Sequence, residues 1–168
     1  MLWLVASAMM ARAEDLHLES IGTRFGIFHD GANAHFYQAE VFVNMDLPLS
    51  WSLGSDWWLQ SRIDAAVGWL GKSGVNAAIG SLAPSLLAGK SGSPLSFELG
   101  FSPTLLSRYD FPGKDLGSSL QFTSHAGMNV DLSSRIRLGY RFEHMSNGGF
   151  ITPNPGLNLN IFAVSYLF

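Results

Sequence analysis

The sequence predicts an all-β protein, an eight-stranded antiparallel transmembrane β-barrel. Three observations carry this. Runs of about ten residues alternate apolar and polar side chains between Gly-, Asn-, Asp- and Pro-bearing turns, as strands do that face lipid on one side and a polar lumen on the other. Charged residues are only 14% of the 168 residues, with 12% aromatic, whereas a soluble domain carries about a quarter charged residues. And no run of about 18 unbroken apolar residues could cross a bilayer as a helix, so any crossing falls to strands.

The chain begins with an apolar run, residues 1–10, followed by Ala11-Arg12-Ala13. That reads as a secretory signal peptide cleaved after Ala13, leaving residues 14–168 as one barrel domain. The first strand, about Glu19 to His29, sets Ile21, Thr23, Phe25 and Ile27 against Gly22, Arg24, Gly26 and Phe28. Asp30-Gly31-Ala32-Asn33 turns the chain. The second, about Ala34 to Met45, sets Tyr37, Ala39, Val41 and Val43 against Gln38, Glu40, Phe42 and Asn44. Asp46 to Asp56, with Pro48 and Gly54, is expected to be a turn leading into the third strand. That strand, Trp57 to Leu70, sets Leu59, Ile63, Ala65, Val67 and Trp69 against Gln60, Arg62, Asp64 and Gly68.

The fourth strand, about Gly74 to Leu87, is expected to set an apolar face of Val75, Ala77 and Ile79 against Asn76, Ala78 and Gly80, with Pro84 marking an edge or bulge. The fifth sets Leu95, Phe97, Leu99 and Phe101 against Ser96, Glu98, Gly100 and Ser102, and Arg108 to Gly117 is a polar loop. The sixth sets Leu120, Phe122, Ser124, Ala126 and Met128 against Gln121, Thr123, His125 and Asn129. The seventh sets Ile136, Leu138, Tyr140 and Phe142 against Arg137, Arg141 and Glu143. The eighth carries Phe162, Val164, Tyr166 and Phe168.

Alternation alone also fits a soluble sandwich. The charges decide between them. Arg24, Glu40, Arg62, Asp64, Glu98, Arg137, Arg141 and Glu143 all fall on the polar face of their strands. An Arg or Lys turned to lipid at mid-membrane would cost about 2–4 kcal/mol. The terminal Tyr166-Leu167-Phe168 resembles the aromatic-ended last strand of bacterial outer-membrane proteins, which places the barrel in that membrane. Eight strands make a small barrel that side chains can fill.

Several function classes drop out. There are no cysteines, which removes disulfides and thiolate catalysis. The five histidines are scattered and no carboxylate cluster has ligand spacing, so neither a metal nor another cofactor is expected. The net charge of −3 gives no support for nucleic-acid binding. Monomer and homodimer both remain open.

The chemistry-bearing stretch runs from Glu143 to Asn158 and contains His144, Ser146, Asn147, Gly148, Gly149, Asn154 and Gly156. Residues two apart on a strand share a face, so His144 and Ser146 sit together, as a base and a nucleophile must. Their parity continues the apolar row Ile136, Leu138, Tyr140 and Phe142, so they face lipid. With both termini periplasmic, the seventh strand ends at the outer leaflet. Asn158 and Asn160 open the eighth strand with the parity of Phe162 and face outward too. A soluble substrate needs no site on a lipid-facing wall; a lipid does.

The pattern His144-x-Ser146-Asn147-x-Gly149, then Pro153-Asn154-x-Gly156, resembles the signature of the outer-membrane lipid A 3-O-deacylases, the PagL family. The resemblance implies an eight-stranded barrel that removes the acyl chain at the 3 position of lipid A, with lipopolysaccharide of the outer leaflet as its partner. It implies Ser146 as nucleophile, His144 as base, and Asn147, Gly148, Gly149 and Asn154 as the oxyanion and substrate-positioning region. The family's acid is a Glu, and Asn158 stands in its place. An amide oxygen can orient an imidazole but supplies no full charge. A deacylase is therefore the leading reading. A catalytically weak or inactive lipopolysaccharide-binding or structural barrel, and a phospholipase or acyltransferase, are the alternatives.

Overall fold

Alternating side chains need two environments, and a sheet closed on itself supplies both. In the computed structural model, which describes residues 16–30 and 34–168, the strands are β1 (His17–Asp30), β2 (Ala34–Gly54), β3 (Trp57–Lys72), β4 (Val75–Lys90), β5 (Leu95–Leu106), β6 (Asp110–Phe111), β7 (Lys114–Asp115), β8 (Leu120–Asp131), β9 (Ile136–Ser146) and β10 (Leu157–Leu167). Eight of them close into an antiparallel barrel in the order β1-β10-β9-β8-β5-β4-β3-β2. The pairing of β1 with β10, from Ser20 opposite Leu167 to Ile27 opposite Asn160, removes the free edges. The small β6–β7 ladder lies within the stretch expected to be a loop. The predicted signal peptide and Gly31 to Asn33 lie outside the described residues.

The outer wall exposes Val67 at 68%, Leu99 at 62% and Trp69 at 54% of their full surface, with Phe25, Phe97, Phe101, Phe142 and Phe162 also exposed. An apolar exterior of that extent belongs in lipid, and the fold is a transmembrane barrel. The charges named above are inside. Arg24 pairs with Glu40 and donates two 2.9 Å bonds to Asp64. Arg62 pairs with Glu98, which also meets His125 Nε2 at 3.0 Å, and Arg141 pairs with Glu143. Two luminal spaces between these groups hold about 30 and 10 Å³, the size of single water molecules.

The lumen is not polar throughout. Towards the end opposite the termini it is closed by Phe36, Leu70, Ile79, Leu116, Met145 and Leu159, all packed in one apolar cluster. This corrects the expected faces of β4. Ala77 and Ile79 point inward and are buried, while Asn76 and Ala78 point outward. The cause lies on the neighbouring strand: Trp69 and Val67 of β3 are paired with Ala78 and Gly80, so large outward side chains stand beside small ones.

Two further expectations are corrected. Residues 46–54 form no loop: β2 continues to Gly54, with irregularities between Asp46 and Ser50 and between Ser52 and Gly54. It turns through Ser55 and Asp56, at φ 49° and 68°, the left-handed pair of a tight hairpin. Pro84 marks neither an edge nor a bulge. The β4–β5 register is the same on both sides of it, from Ser81 opposite Thr104 to Ser85 opposite Gly100. Pro84 and Pro103 both fall in the unpaired interval, where each lacks a ladder donor.

Candidate active site on the outer wall

β9 and β10 bring the polar residues together because their register sets His144 opposite Asn158. Both are exposed on the outer wall, as is Asn160, while Ser146 is half-buried at the end of β9. The intervening odd-numbered residues Glu143 and Met145 are buried in the lumen, so Glu143 is separated from His144 by the thickness of the sheet.

His144 Nδ1 lies 2.7 Å from Asn158 Oδ1. An amide oxygen only accepts, so Nδ1 carries the hydrogen and donates it. That fixes the tautomer of the neutral ring and leaves the Nε2 lone pair free to take a proton. Gly156 makes room for the ring. Its φ is 64°, and a Cβ there would lie 3.0 Å from His144 Cε1. Among the described residues no hydrogen bond joins His144 to Ser146. The two are neighbours by strand parity, and such contacts are often long before substrate binds.

The segment after β9 is held by Asn147, whose buried side chain is fully occupied. Its Nδ2 donates to the carbonyls of Ile151 at 2.8 Å, Pro153 at 3.0 Å and Leu116 at 3.2 Å. Its Oδ1 accepts from Gly149 N–H at 3.0 Å, and its own N–H donates to Asn154 Oδ1 at 3.1 Å. Asn147 therefore ties the loop to itself and to Leu116, just after β7. Gly148 and Gly149 have φ of 70° and 78°, and Asn154 is exposed with its Oδ1 already engaged.

Two participants escaped the sequence reading. Leu116 supplies a carbonyl to Asn147 and is itself buried. Gly117, at φ 82°, lies so close to the loop that a Cβ would meet Pro153 O at 2.1 Å and Asn147 Nδ2 at 2.6 Å. The only local signal was a Gly two residues after an Asp; the contact spans about thirty residues of chain and two strands. Below the site, Tyr140 OH donates to Asn160 Oδ1 at 2.8 Å and its ring packs against Phe162, extending the polar patch down the wall.

A free imidazole nitrogen, a hydroxyl on the same face and a glycine-rich loop can together perform acyl transfer. Comparisons with known proteins agree with this setting. The family model described as "Lipid A 3-O-deacylase (PagL)" matches residues 37–167. A relative from Bordetella bronchiseptica, "Lipid A deacylase PagL", is 30% identical over 154 residues, covering 83% of this chain and 81% of its own. Among solved structures, the outer membrane enzyme PagL superposes with a TM-score of 0.73 at 21% identity, over 86% of this chain and 97% of that one. By its sequence and its fold, the chain belongs to the PagL family of lipid A 3-O-deacylases.

Proposed function

We propose that the protein is a serine esterase that removes the ester-linked acyl chain from the 3 position of lipid A, at the outer leaflet of the bacterial outer membrane. The observation that carries this reading is the His144–Asn158 hydrogen bond, which engages Nδ1 and leaves Nε2 as the ring's available base on the same lipid-facing side of β9 as Ser146.

His144 Nε2 takes the Ser146 Oγ proton as Oγ bonds to the ester carbonyl carbon. The Gly148 N–H and the Asn154 side-chain amide are the donors for the resulting oxyanion, and Asn147 and Gly149 hold them in place. One such donor is typically worth about 3–4 kcal/mol. The intermediate collapses, the C–O bond to the sugar breaks, and the imidazolium returns its proton to the leaving 3-alkoxide. Water, deprotonated by the same nitrogen, then attacks the acyl-serine; the bond from the acyl carbon to Oγ breaks, the imidazolium returns its proton to Oγ, and the fatty acid leaves. Asn158 keeps the ring in the required tautomer through both halves.

Mass spectrometry of lipid A from cells expressing the protein tests this. Expression should produce lipid A lacking one 3-linked acyl chain, and Ser146→Ala should abolish that product with the barrel still folded. Persistence of the product in Ser146→Ala would remove the nucleophile assignment.

Asn158 in place of an acid favours a second reading: a weak or inactive barrel that binds lipopolysaccharide. An unchanged lipid A spectrum for the wild type, with deacylation appearing in Asn158→Glu, would select it. A phospholipase or acyltransferase would instead alter phospholipids in the same extracts.

A further inference from the structure

The hairpin β6–β7 has no role so far. The chain leaves β5 through Ser107, which is tied to Ala78 at the start of β4. Ser107 N–H donates to Ala78 O at 2.9 Å, and Ala78 N–H donates to Ser107 Oγ at 2.8 Å. From there the hairpin does not project from the barrel. Phe111 and Leu116 are both buried in the apolar cluster that closes the end of the lumen. Phe111 meets Phe36 of β2 edge-on, with ring centroids 5.2 Å apart, and Lys114 Nζ lies 5.1 Å from the ring centroid of Phe28 on β1. The hairpin is therefore folded across the mouth of the barrel, from its roots on β5 and β8 towards β1 and β2.

Its return limb leads to the loop after β9. Leu116 N–H donates to Tyr109 O at 2.9 Å, which closes the hairpin, and Gly117 N–H donates to Asp115 Oδ1 at 2.8 Å. Gln121 Nε2 donates to Ser118 O at 2.6 Å and to Leu116 O at 3.3 Å. The same Leu116 carbonyl accepts from Asn147 Nδ2 at 3.2 Å. Asn147 follows Ser146 in the chain, and its Oδ1 accepts from Gly149 N–H. A continuous set of packed and bonded groups thus runs from Phe36 through Phe111 and Leu116 to Asn147.

The contact with Asn147 is made by a backbone carbonyl, so its position is that of the hairpin backbone and not of a side chain free to rotate. The hairpin ladder has only two residue pairs, and an isolated two-stranded hairpin is marginal in water. What fixes it is the burial of Phe111 and Leu116 in the cluster. Leu116 carries the carbonyl itself. Phe111, on the other limb, anchors the hairpin to β2 across the mouth. We infer that Phe111 is a positioning residue for deacylation: seated against Phe36, it holds the Leu116 carbonyl, and through it Asn147, where the oxyanion donors beside Ser146 are needed. This rests on the deacylase reading above for the reaction it serves.

The test compares wild type, Phe111→Ala and Phe111→Leu as full-length, detergent-solubilised protein acting on purified lipid A, with rates taken per folded barrel. Phe111→Ala should lower kcat by roughly tenfold or more, as a small misplacement of a reacting group does, and leave KM within about twofold, because the lipid is held on the outer wall. Phe111→Leu, which refills much of the space, should bring kcat back to within about threefold of wild type. In an Asn147→Ala background, Phe111→Ala should change kcat by less than about twofold, since both act through one contact. A wild-type kcat in folded Phe111→Ala, or two effects that multiply in full, would overturn the inference. Should Phe111→Ala not fold, Phe111→Val carries the same comparison.

A second measurement does not depend on turnover. In Ser146→Ala protein, adding Phe111→Ala should speed amide hydrogen exchange at Gly149 by about tenfold or more and leave the ladder amides of β9 and β10 unchanged. A general loss of stability would instead raise exchange along those strands as well. Absence of 3-O-deacylation by the wild type, with this local change in exchange intact, would count against the deacylase reading and leave the brace between Phe111 and the loop standing. Unchanged exchange at Gly149, or an increase shared by the ladder, would overturn the inference whatever the enzyme does.

Discussion

In the proposed mechanism, Asn158 is the residue on which the chemistry depends most directly. Its oxygen accepts from His144 Nδ1, which is the geometric half of what a carboxylate would do; the charge is the other half. A charge-assisted hydrogen bond is roughly twice as strong as a neutral one, a difference of about 1–1.5 kcal/mol. Asn158→Glu should therefore raise kcat by about tenfold, because the imidazolium exists only along the reaction path. Asn158→Leu removes the acceptor altogether and should lower kcat by a hundredfold or more. Both are read as rates of 3-O-deacylation of purified lipid A in detergent; equal rates for wild type and Asn158→Glu would show that charge at this position is immaterial. Gly156 acts on the same ring through space. A methyl group 3.0 Å from His144 Cε1 at a backbone φ of 64° must displace the ring or the strand entry, so Gly156→Ala should cost activity by about tenfold or more with the barrel intact. That His144 and Ser146 share the outward-facing side of β9 was legible in the sequence because strand parity is local. The meeting of His144 with Asn158 needed only a hairpin register. The occupation of Asn147 was not legible, since its partners Leu116, Ile151 and Pro153 include one from another loop.

At the level of elements, the site is a β9–β10 register joined to one ordered loop. Asn147 Nδ2 reaches three carbonyls, and Gly117 lets the β7–β8 connection approach close enough for this. Unmade buried hydrogen bonds cost about 1–3 kcal/mol each. Asn147→Ala should therefore loosen residues 147–156 without opening the barrel. Limited proteolysis should cut within this loop, and deacylation should fall by roughly a hundredfold as the proposed oxyanion donors lose their positions. Uncut protein at wild-type rates would mean that the loop holds its shape without Asn147. Elements whose two faces differ in chemistry were legible from the sequence: β3, β5 and β9 each carry charges on one face alone. β4 was not, because Ala77, Ala78 and Gly80 resemble one another. Its orientation comes from Trp69 and Val67 on the next strand and from the apolar cluster that receives Ile79. The β2 extension past Asp46 was hidden by Pro48, which reads as a turn until an irregular pairing is known to absorb it.

Over the whole molecule, the barrel separates two tasks by the thickness of one sheet. The outer wall carries the polar patch; the lumen carries the ion pairs, with spaces of about 30 and 10 Å³ among them. Arg24 is the centre of one luminal group, pairing with Glu40 and Asp64, with Phe42 against its guanidinium. Such a group stabilises only as a set. Removing one member leaves an uncompensated buried charge and costs about 3–5 kcal/mol, whereas replacing the set with apolar side chains is often neutral. Asp64→Leu alone should therefore lower the midpoint of urea unfolding in lipid vesicles, followed by tryptophan fluorescence, by an amount equivalent to about 3–5 kcal/mol. The triple Arg24→Leu, Glu40→Leu, Asp64→Leu should recover most of that loss, because Arg141 retains Glu143 and Glu98 as partners. Deacylation by the folded triple should match wild type, since none of the three side chains reaches the outer wall. A triple no more stable than the single would show that these charges stabilise the barrel individually. A folded but inactive triple would show that the lumen and the lipid-facing site are coupled through the sheet.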